Sequence, residues 1–292
     1  MRPPARIRAL VLLALVLDRP VLGRVVRSLT REPIVEEGDL DGVAVEVVHP
    51  AGTGPWPAWL FVNGAHPMRR REPVVIQLSR GLARAGYLVV VPDIPGLGEG
   101  TITTRTFEAT RAVVRAAGAR PDVRGGKVAL IGASTGAGLA ILAAGRAELA
   151  PHVSVVAAVA PYADLRKLIC LTTTSAYEER GGYTPYDVTD LHRQVVARSL
   201  VAALPDERER DRLLGELAAI EAAGLSPLDE LPRRAGGVSA DARAVLAVLA
   251  NRDPERFREL CGALPPPVLA FIDDLSPLRV GGALRAPVEI VV

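Results

Sequence analysis

Four continuous apolar runs alternate with three helical patterns between residues 58 and 160, and this order restricts the fold more than any other feature of the sequence. Buried parallel strands have nearly unbroken apolar, β-branched sequences, whereas helices repeat their apolar positions every three to four residues. A strand–helix alternation places consecutive strands in one parallel sheet with helices on both faces. The sequence therefore predicts an α/β fold with a mostly parallel sheet. The predicted strands are 43–48, 58–63, 87–93, 127–132 and 153–160, and the predicted helices are 72–86, 106–119 and 135–145.

The alternation stops after residue 165. Residues 166–285 contain no convincing buried strand and instead hold polar helical patterns that proline and glycine clusters separate. A long insertion adds little closure entropy and often covers a site, so we expect a helical lid. The alternative is a helical decoration without a catalytic role. The predicted organisation is an N-terminal segment at 1–32, a core at 33–165, the lid at 166–285 and a returning core strand at 286–292.

The sequence GASTG at 132–136 has the spacing G-x-S-x-G and lies between a predicted strand and a predicted helix. In this setting the turn is sharp and strained, and it projects the serine hydroxyl from the top of the sheet. The flanking residues must be small because neighbouring backbone passes close by. The pattern predicts that Ser134 is a nucleophile. Neither a GxGxxG nor a GK[ST] sequence is present, so nucleotide-binding loops are not indicated.

The segment FVNGAHP at 61–67 leaves the strand at 58–63 in a glycine-containing turn. Together with LARAGYLVVVPDIPGLGEG (82–100), VALIGASTGAG (128–138) and SPLRVGGALRAPVEIVV (276–292), it resembles the α/β-hydrolase superfamily, in its dienelactone-hydrolase-like or serine esterase branch. The resemblance implies an α/β-hydrolase fold. It also implies hydrolysis of an ester, lactone, thioester or amide through an acyl-enzyme on Ser134, with the backbone N–H groups of Thr135 and Ala65 as oxyanion donors. Asn63 replaces the histidine that is commoner in this turn.

The acid and the histidine of that family have no matching positions here. In the family the acid follows the strand that 286–292 represents, and the histidine comes later, whereas this sequence stops at Val292. We therefore expect a chain that is truncated at its C-terminus. Asp164, after the strand at 153–160, is the candidate for a substitute acid, and its alternatives are a helix cap or a pocket-lining residue.

His66 and Tyr162 are the candidate substrate-binding residues. His66 is adjacent to the predicted oxyanion turn and contacts substrate or fixes that turn; Tyr162 precedes the candidate acid. We interpret His49 and His152 as structural, and His192 lies in the predicted lid. Because no histidine is identified as the base, a catalytically impaired or non-catalytic binding or membrane-associated protein stays open. An acyltransferase or lyase on the same fold also stays open.

Composition excludes several classes of partner. The net charge is +2, and only Lys127 and Lys167 are lysines among 35 basic residues, so the other 33 are scattered arginines. With five Tyr and four Phe for base stacking, we expect no nucleic-acid partner. Cys170 and Cys261 have no metal-ligand spacing and are expected to be free thiols, and no motif indicates a metal or a cofactor. The expected partner is a small ester-like substrate.

The N-terminus combines arginines with a short apolar run at 9–17. Nine apolar residues are about half of the ~20 that span a bilayer. A signal peptide is one interpretation, although no A-x-A site follows. The other is an amphipathic helix that packs on the domain or makes a weak contact with a membrane surface. We expect a cytoplasmic protein with the option of membrane association, and the sequence leaves the oligomeric state undetermined.

Overall fold

The computed structural model describes residues 28–292, which form two units. The first, here called the sheet unit, holds the chain up to Gly98, Phe107–Pro161 and Val280–Val292, and the second, the helical unit, holds Glu99–Thr106 and Tyr162–Arg279. The described strands are β1 (Ile34–Leu40), β2 (Val43–His49), β3 (Trp56–Val62), β4 (Leu88–Pro92), β5 (Val123–Ala133), β6 (Val153–Val159), β7 (Ala176–Glu179), β8 (Gly182–Pro185) and β9 (Val288–Val291). The described α-helices are α1 (Pro73–Arg84), α2 (Thr104–Gly118), α3 (Thr135–Ala144), α4 (Leu165–Thr174), α5 (Asp190–Ala202), α6 (Glu207–Ala222), α7 (Pro227–Arg234), α8 (Ala240–Ala250), α9 (Pro254–Gly262) and α10 (Pro266–Asp274).

A seven-stranded sheet in the order β1-β2-β4-β3-β5-β6-β9 forms the centre of the sheet unit. The five strands from β4 to β9 in this order run parallel to one another, and β1 and β2 are antiparallel additions at one edge. This confirms the predicted mostly parallel sheet. The central strands are buried because both of their faces are apolar: Leu60, Leu88 and Leu130 have no exposed surface. All residues of α3 after its first are also buried, as expected for a helix that is apolar all round.

The helical unit contains seven of these helices, α4 to α10, and the two-stranded hairpin β7–β8. Several of its helices begin at a side chain that accepts a hydrogen bond from a backbone N–H of the first turn, which satisfies one of the unpaired donors there. These N-cap residues are Asp164, Thr189, Asp206, Ser239 and Asp253. The role of this unit as a lid stays a prediction.

One observed element was not predicted, and one predicted segment lies outside the described residues. The hairpin β7–β8 was not expected, and its residues are mostly exposed, so no apolar alternation marked it. The apolar run at 9–17 lies outside the described residues. Between residues 28 and 292, no helix is both long enough and apolar enough to cross a membrane.

Candidate active site

Ser134 occupies the sharp turn between β5 and α3. Its backbone has φ 51° and ψ −121°, a left-handed φ that an L-residue adopts only at a cost of about 1–3 kcal/mol. The strained turn is held by a hydrogen bond that the Ser134 N–H donates to Val159 O at 2.8 Å. Ser134 is exposed, whereas the first residues of α3 after Thr135 are buried. This is the geometry predicted for a nucleophile from the G-x-S-x-G spacing.

The glycines at 132 and 136 are required by close backbone contacts. A methyl group on Gly132 would lie 2.5 Å from Gly136 O and 2.6 Å from Ala137 Cα. On Gly136 it would overlap the carbonyl oxygens of Val62 and Asn63 at the end of β3. The small residues therefore pack the start of α3 directly against β3 and the turn that follows it.

The two predicted oxyanion donors lie on either side of this contact. Thr135 begins α3, and the first N–H groups of a helix have no acceptor within it. Ala65 follows Gly64, whose backbone approaches the serine so closely that a methyl group there would lie 3.5 Å from Ser134 Cβ. The turn after β3 and the helix N-terminus thus face the same serine from two strands that are neighbours in the sheet. Their role as donors stays a prediction.

Asn63, at the start of the turn, is buried, with 6% of its surface exposed. Neither its amide oxygen nor its amide nitrogen has a hydrogen-bond partner among the described residues. Unpaired buried polar atoms are unusual and often mark sites where a water or a ligand completes the bonding.

His66 lies in the same turn and contacts a carboxylate. Its Nδ1 accepts a hydrogen bond from the Met68 N–H at 3.3 Å and lies 3.2 Å from Oε2 of Glu72. The Glu72 oxygen is buried and accepts no well-aligned hydrogen bond within the described chain. Sequence reasoning identified His66 but missed Glu72; the signal was a carboxylate six residues after the histidine in the same loop.

The loop after β3 is tied to the sheet by an arginine. Arg70 Nε binds Asp93 Oδ2 at 3.0 Å just after β4, and its Nη1 binds Glu37 on β1. The side chains of Arg70 and Asp93 are 14% and 17% exposed, so their charge-assisted bond is largely shielded from solvent, whereas Glu37 is exposed. Asp93 therefore holds the loop that carries Ala65 and His66.

Asp164 and Tyr162 lie in the helical unit. Asp164 is the N-cap of α4, and its carboxylate accepts the Arg166 N–H at 2.8 Å, which is the helix-cap alternative considered for it. The Tyr162 hydroxyl donates to Leu275 O at 2.9 Å, and burial raises the pKa of this phenol. Their assignments as acid and substrate-binding residue stay predictions.

The remaining histidines and the cysteines make local contacts. His49 stacks on Trp56 and lies 3.5 Å from Glu36, and a His152 ring nitrogen is 3.3 Å from Gly126 O. Cys170 and Cys261 are free thiols, as expected. In the part of the chain that the structure describes, no cluster of three or more histidine, cysteine or acidic residues is arranged to hold a metal ion.

Comparison with known proteins places this serine turn in a family. The family model described as X-Pro dipeptidyl-peptidase (S15 family) matches residues 38–253. The chain belongs to this S15 family. The match spans the sheet unit from β2 to β6 and continues into the helical unit as far as the start of α9. It confirms the predicted α/β-hydrolase fold. No curated protein sequence matches the chain.

Solved structures that are similar to this S15 family member include a dienelactone hydrolase from Anabaena variabilis, with 22% identity over 46% of this chain and 67% of that one, and a TM-score of 0.38. A hyperthermophilic esterase from Pyrobaculum calidifontis shares 19% identity over 60% and 64% of the two chains, with a TM-score of 0.40. Dipeptidyl peptidase 4 from Porphyromonas gingivalis shares 18% identity over 50% and 23%, with a TM-score of 0.37. The chain thus spans about two thirds of the first two and about a quarter of the third.

Proposed function

We propose that this protein is a serine hydrolase that cleaves a carboxylic ester, lactone, thioester or amide through an acyl-enzyme on Ser134. The observation that carries the proposal is the exposed Ser134 at φ 51°, held between β5 and α3 beside the turn after β3. Membership of a peptidase family supports attack on a carbonyl carbon. It does not select among the four substrate classes.

The geometry supports a two-step reaction. The Ser134 Oγ attacks the substrate carbonyl, and the developing oxyanion lies where the N–H groups of Thr135 and Ala65 can donate to it. Preorganised donors of this kind are worth about 3–4 kcal/mol each in such reactions. The leaving group departs with the proton that the Ser134 hydroxyl gives up. Water then attacks the acyl-enzyme, its hydroxyl goes to the acyl carbon and its proton returns to Ser134 Oγ as the acid leaves.

A fluorophosphonate probe tests this proposal directly, because it phosphonylates activated serines. We expect one adduct by intact-mass spectrometry, located on Ser134 by peptide mapping and absent from Ser134→Ala. The matched control is Ser154→Ala, since Ser154 is also exposed but lies within β6. Labelling that persists in Ser134→Ala would overturn the proposal.

A non-catalytic or impaired binding protein is the second candidate. It is favoured by one observation: within residues 28–292 the Ser134 hydroxyl makes no hydrogen bond to any histidine or carboxylate. A serine without a base is a weak nucleophile at neutral pH. This candidate predicts a folded protein that the probe does not label, so the same experiment separates the two.

A further inference from the structure

Exposed tyrosines are concentrated on one hairpin of the helical unit. Three of the five tyrosines of the chain, Tyr177, Tyr183 and Tyr186, lie within ten residues on β7 and β8 or directly after them. Their exposed fractions are 39%, 36% and 54%. Tyrosine has a large apolar ring, and a cluster of exposed apolar groups marks a binding surface more often than a single exposed residue does.

The strand register divides these rings between the two faces of the hairpin. Tyr177 of β7 lies opposite Thr184 of β8, and Glu178 lies opposite Tyr183. Because side chains alternate along a strand, Tyr183 shares its face with Glu178, whose carboxylate pairs with Lys167 of α4 at 3.3 Å. The ring of Tyr177 and the hydroxyl of Thr184 therefore lie on the other face of the hairpin.

The rings of Tyr177 and Tyr186 form two walls of a corner on this second face. Their centroids are 6.2 Å apart and their planes meet at 84°. Tyr186 follows β8, and its N–H donates to Ser175 O at 2.8 Å, which extends the pairing of the hairpin by one step. The faces of aromatic rings carry partial negative charge, so two perpendicular faces attract a cation into the angle between them.

Glu179 adds a full negative charge beside the Tyr177–Tyr186 corner. Its Oε2 accepts hydrogen bonds from the Tyr177 hydroxyl and from Thr184 Oγ1, both at 3.4 Å, so the carboxylate lies at the outer end of the Tyr177 ring. The neighbouring Glu178 is neutralised by Lys167, whereas Glu179 forms no ion pair with a basic side chain between residues 28 and 292. The corner is thus electrically complementary to a cation.

The chemistry of the corner favours a cation that has no hydrogen-bond donors. A primary ammonium carries three N–H donors and is strongly hydrated, and ring faces offer it no oxygen. The Glu179 oxygen nearest the rings already accepts two hydroxyl hydrogen bonds. A quaternary ammonium ion has no donor to satisfy, and its methyl groups pack on the rings while its charge lies over their faces.

We propose that the Tyr177–Tyr186 corner, together with Glu179, binds a small quaternary ammonium ion of the choline type. All three residues belong to the helical unit. The proposal does not depend on the reaction at Ser134, and its test measures binding and not turnover.

Tetramethylammonium and choline chlorides are the probes, titrated into the full-length protein at constant ionic strength. Saturation-transfer NMR of the N-methyl protons detects the complex, and the shifts of the tyrosine ring protons give the Kd. Cation–π sites at a protein surface are weak, so we expect a Kd of about 1–10 mM. The neutral isostere 3,3-dimethylbutanol has the shape of choline without its charge and should bind at least about tenfold more weakly.

Variants of the hairpin locate the site. Tyr177→Leu and Tyr186→Leu each remove one ring face and should raise the Kd about two- to fivefold, whereas Tyr177→Phe keeps the face and should stay within about twofold. Glu179→Gln should raise the Kd about two- to fivefold through the lost charge. The matched control is Tyr183→Leu, an exposed tyrosine on the other face, which should leave the Kd unchanged. Circular dichroism confirms that each variant is folded.

Three outcomes would overturn the site. They are the absence of saturation transfer at probe concentrations well above the expected Kd, equal binding of the neutral isostere, and an effect of Tyr183→Leu as large as that of Tyr177→Leu. The fate of the proposed hydrolase function is separate. A protein that binds tetramethylammonium but is not labelled by the fluorophosphonate overturns that function alone, and a labelled protein that binds no tetramethylammonium overturns this site alone.

Discussion

A single methyl group at residue 136 is expected to destabilise the fold. In Gly136→Ala the new carbon overlaps the carbonyl oxygens of Val62 and Asn63, and both belong to backbone that cannot yield easily. Overpacking of this kind typically lowers the free energy of unfolding by about 1–3 kcal/mol. Urea denaturation followed by circular dichroism measures the change.

The matched control is Gly215→Ala in the middle of α6. Gly215 is exposed and nothing lies within 4 Å of a methyl group placed there, so the substitution removes only the entropic disadvantage of glycine. We expect the free energy of unfolding to rise by about 0.5–1 kcal/mol. Equal effects of the two substitutions would mean that α3 does not pack against β3 as described.

Residues whose roles depend on local spacing were predictable from the sequence. Gly132 and Gly136 flank Ser134 at the distances that the strained turn requires, and the structure shows the backbone contacts that make them necessary. Glu72 was not predictable, because its contact with His66 depends on how the loop after β3 folds back before α1. The burial of Asn63 is likewise a property of the packed turn.

Two carboxylates oppose each other between the antiparallel strands β1 and β2. Glu46 is directly opposite Glu37 in the register, and like charges in this position destabilise a strand pair. Burial, and then the charge of Glu37, raise the pKa of Glu46 in the folded protein. A pKa that is higher in the folded protein contributes stability at pH values below the pKa of the unfolded state. This contribution is lost as the pH rises through the pKa of the folded state.

Glu46→Gln should therefore stabilise the protein at pH 7 by roughly 0.2–1 kcal/mol, the size of a cross-strand pair effect. The gain should disappear toward pH 4, where wild-type Glu46 is largely protonated. Thermal melting at both pH values measures it. Glu259→Gln on the exposed side of α9 is the control and should change little at either pH. A loss of stability in Glu46→Gln at pH 7 would contradict the argument.

At the scale of elements, strands with two buried faces were predicted within a few residues of their observed ends. The sequence predicted β4 at 87–93 and the structure places it at Leu88–Pro92, since all five of its residues are buried. β1 was missed because its residues are exposed or half-buried and carry no apolar alternation. β5 begins at Val123, which pairs with Trp56, four residues before its prediction, because the residues from Arg124 to Lys127 are polar or glycine and carry no apolar pattern. Apolar patterning thus predicts the strands that contribute to the core more accurately than it predicts the strands at the edge of the sheet.

Across the described chain, many of the arginines that dominate the basic residues are paired with carboxylates. Arg111 binds both Glu108 and Glu148, and Arg198 forms a bidentate pair with the two carboxylate oxygens of Glu221. An arginine that is already paired with a carboxylate is less available to bind the phosphates of a nucleic acid. The charge count of 35 basic and 33 acidic residues gives the same expectation for the whole molecule.

We therefore expect no binding to nucleic acid tighter than the non-specific level of about 10⁻⁴ M at physiological salt. Fluorescence anisotropy with labelled duplex DNA and single-stranded RNA at 150 mM NaCl, repeated at 50 mM, measures this. Proteins that bind through phosphate contacts lose affinity steeply as salt rises, because each neutralised phosphate releases counterions. An affinity near 10⁻⁶ M that falls in this way would show that the arginines form a continuous basic surface despite their ion pairs. A flat, negligible signal at both salt concentrations is the result that the paired charges predict.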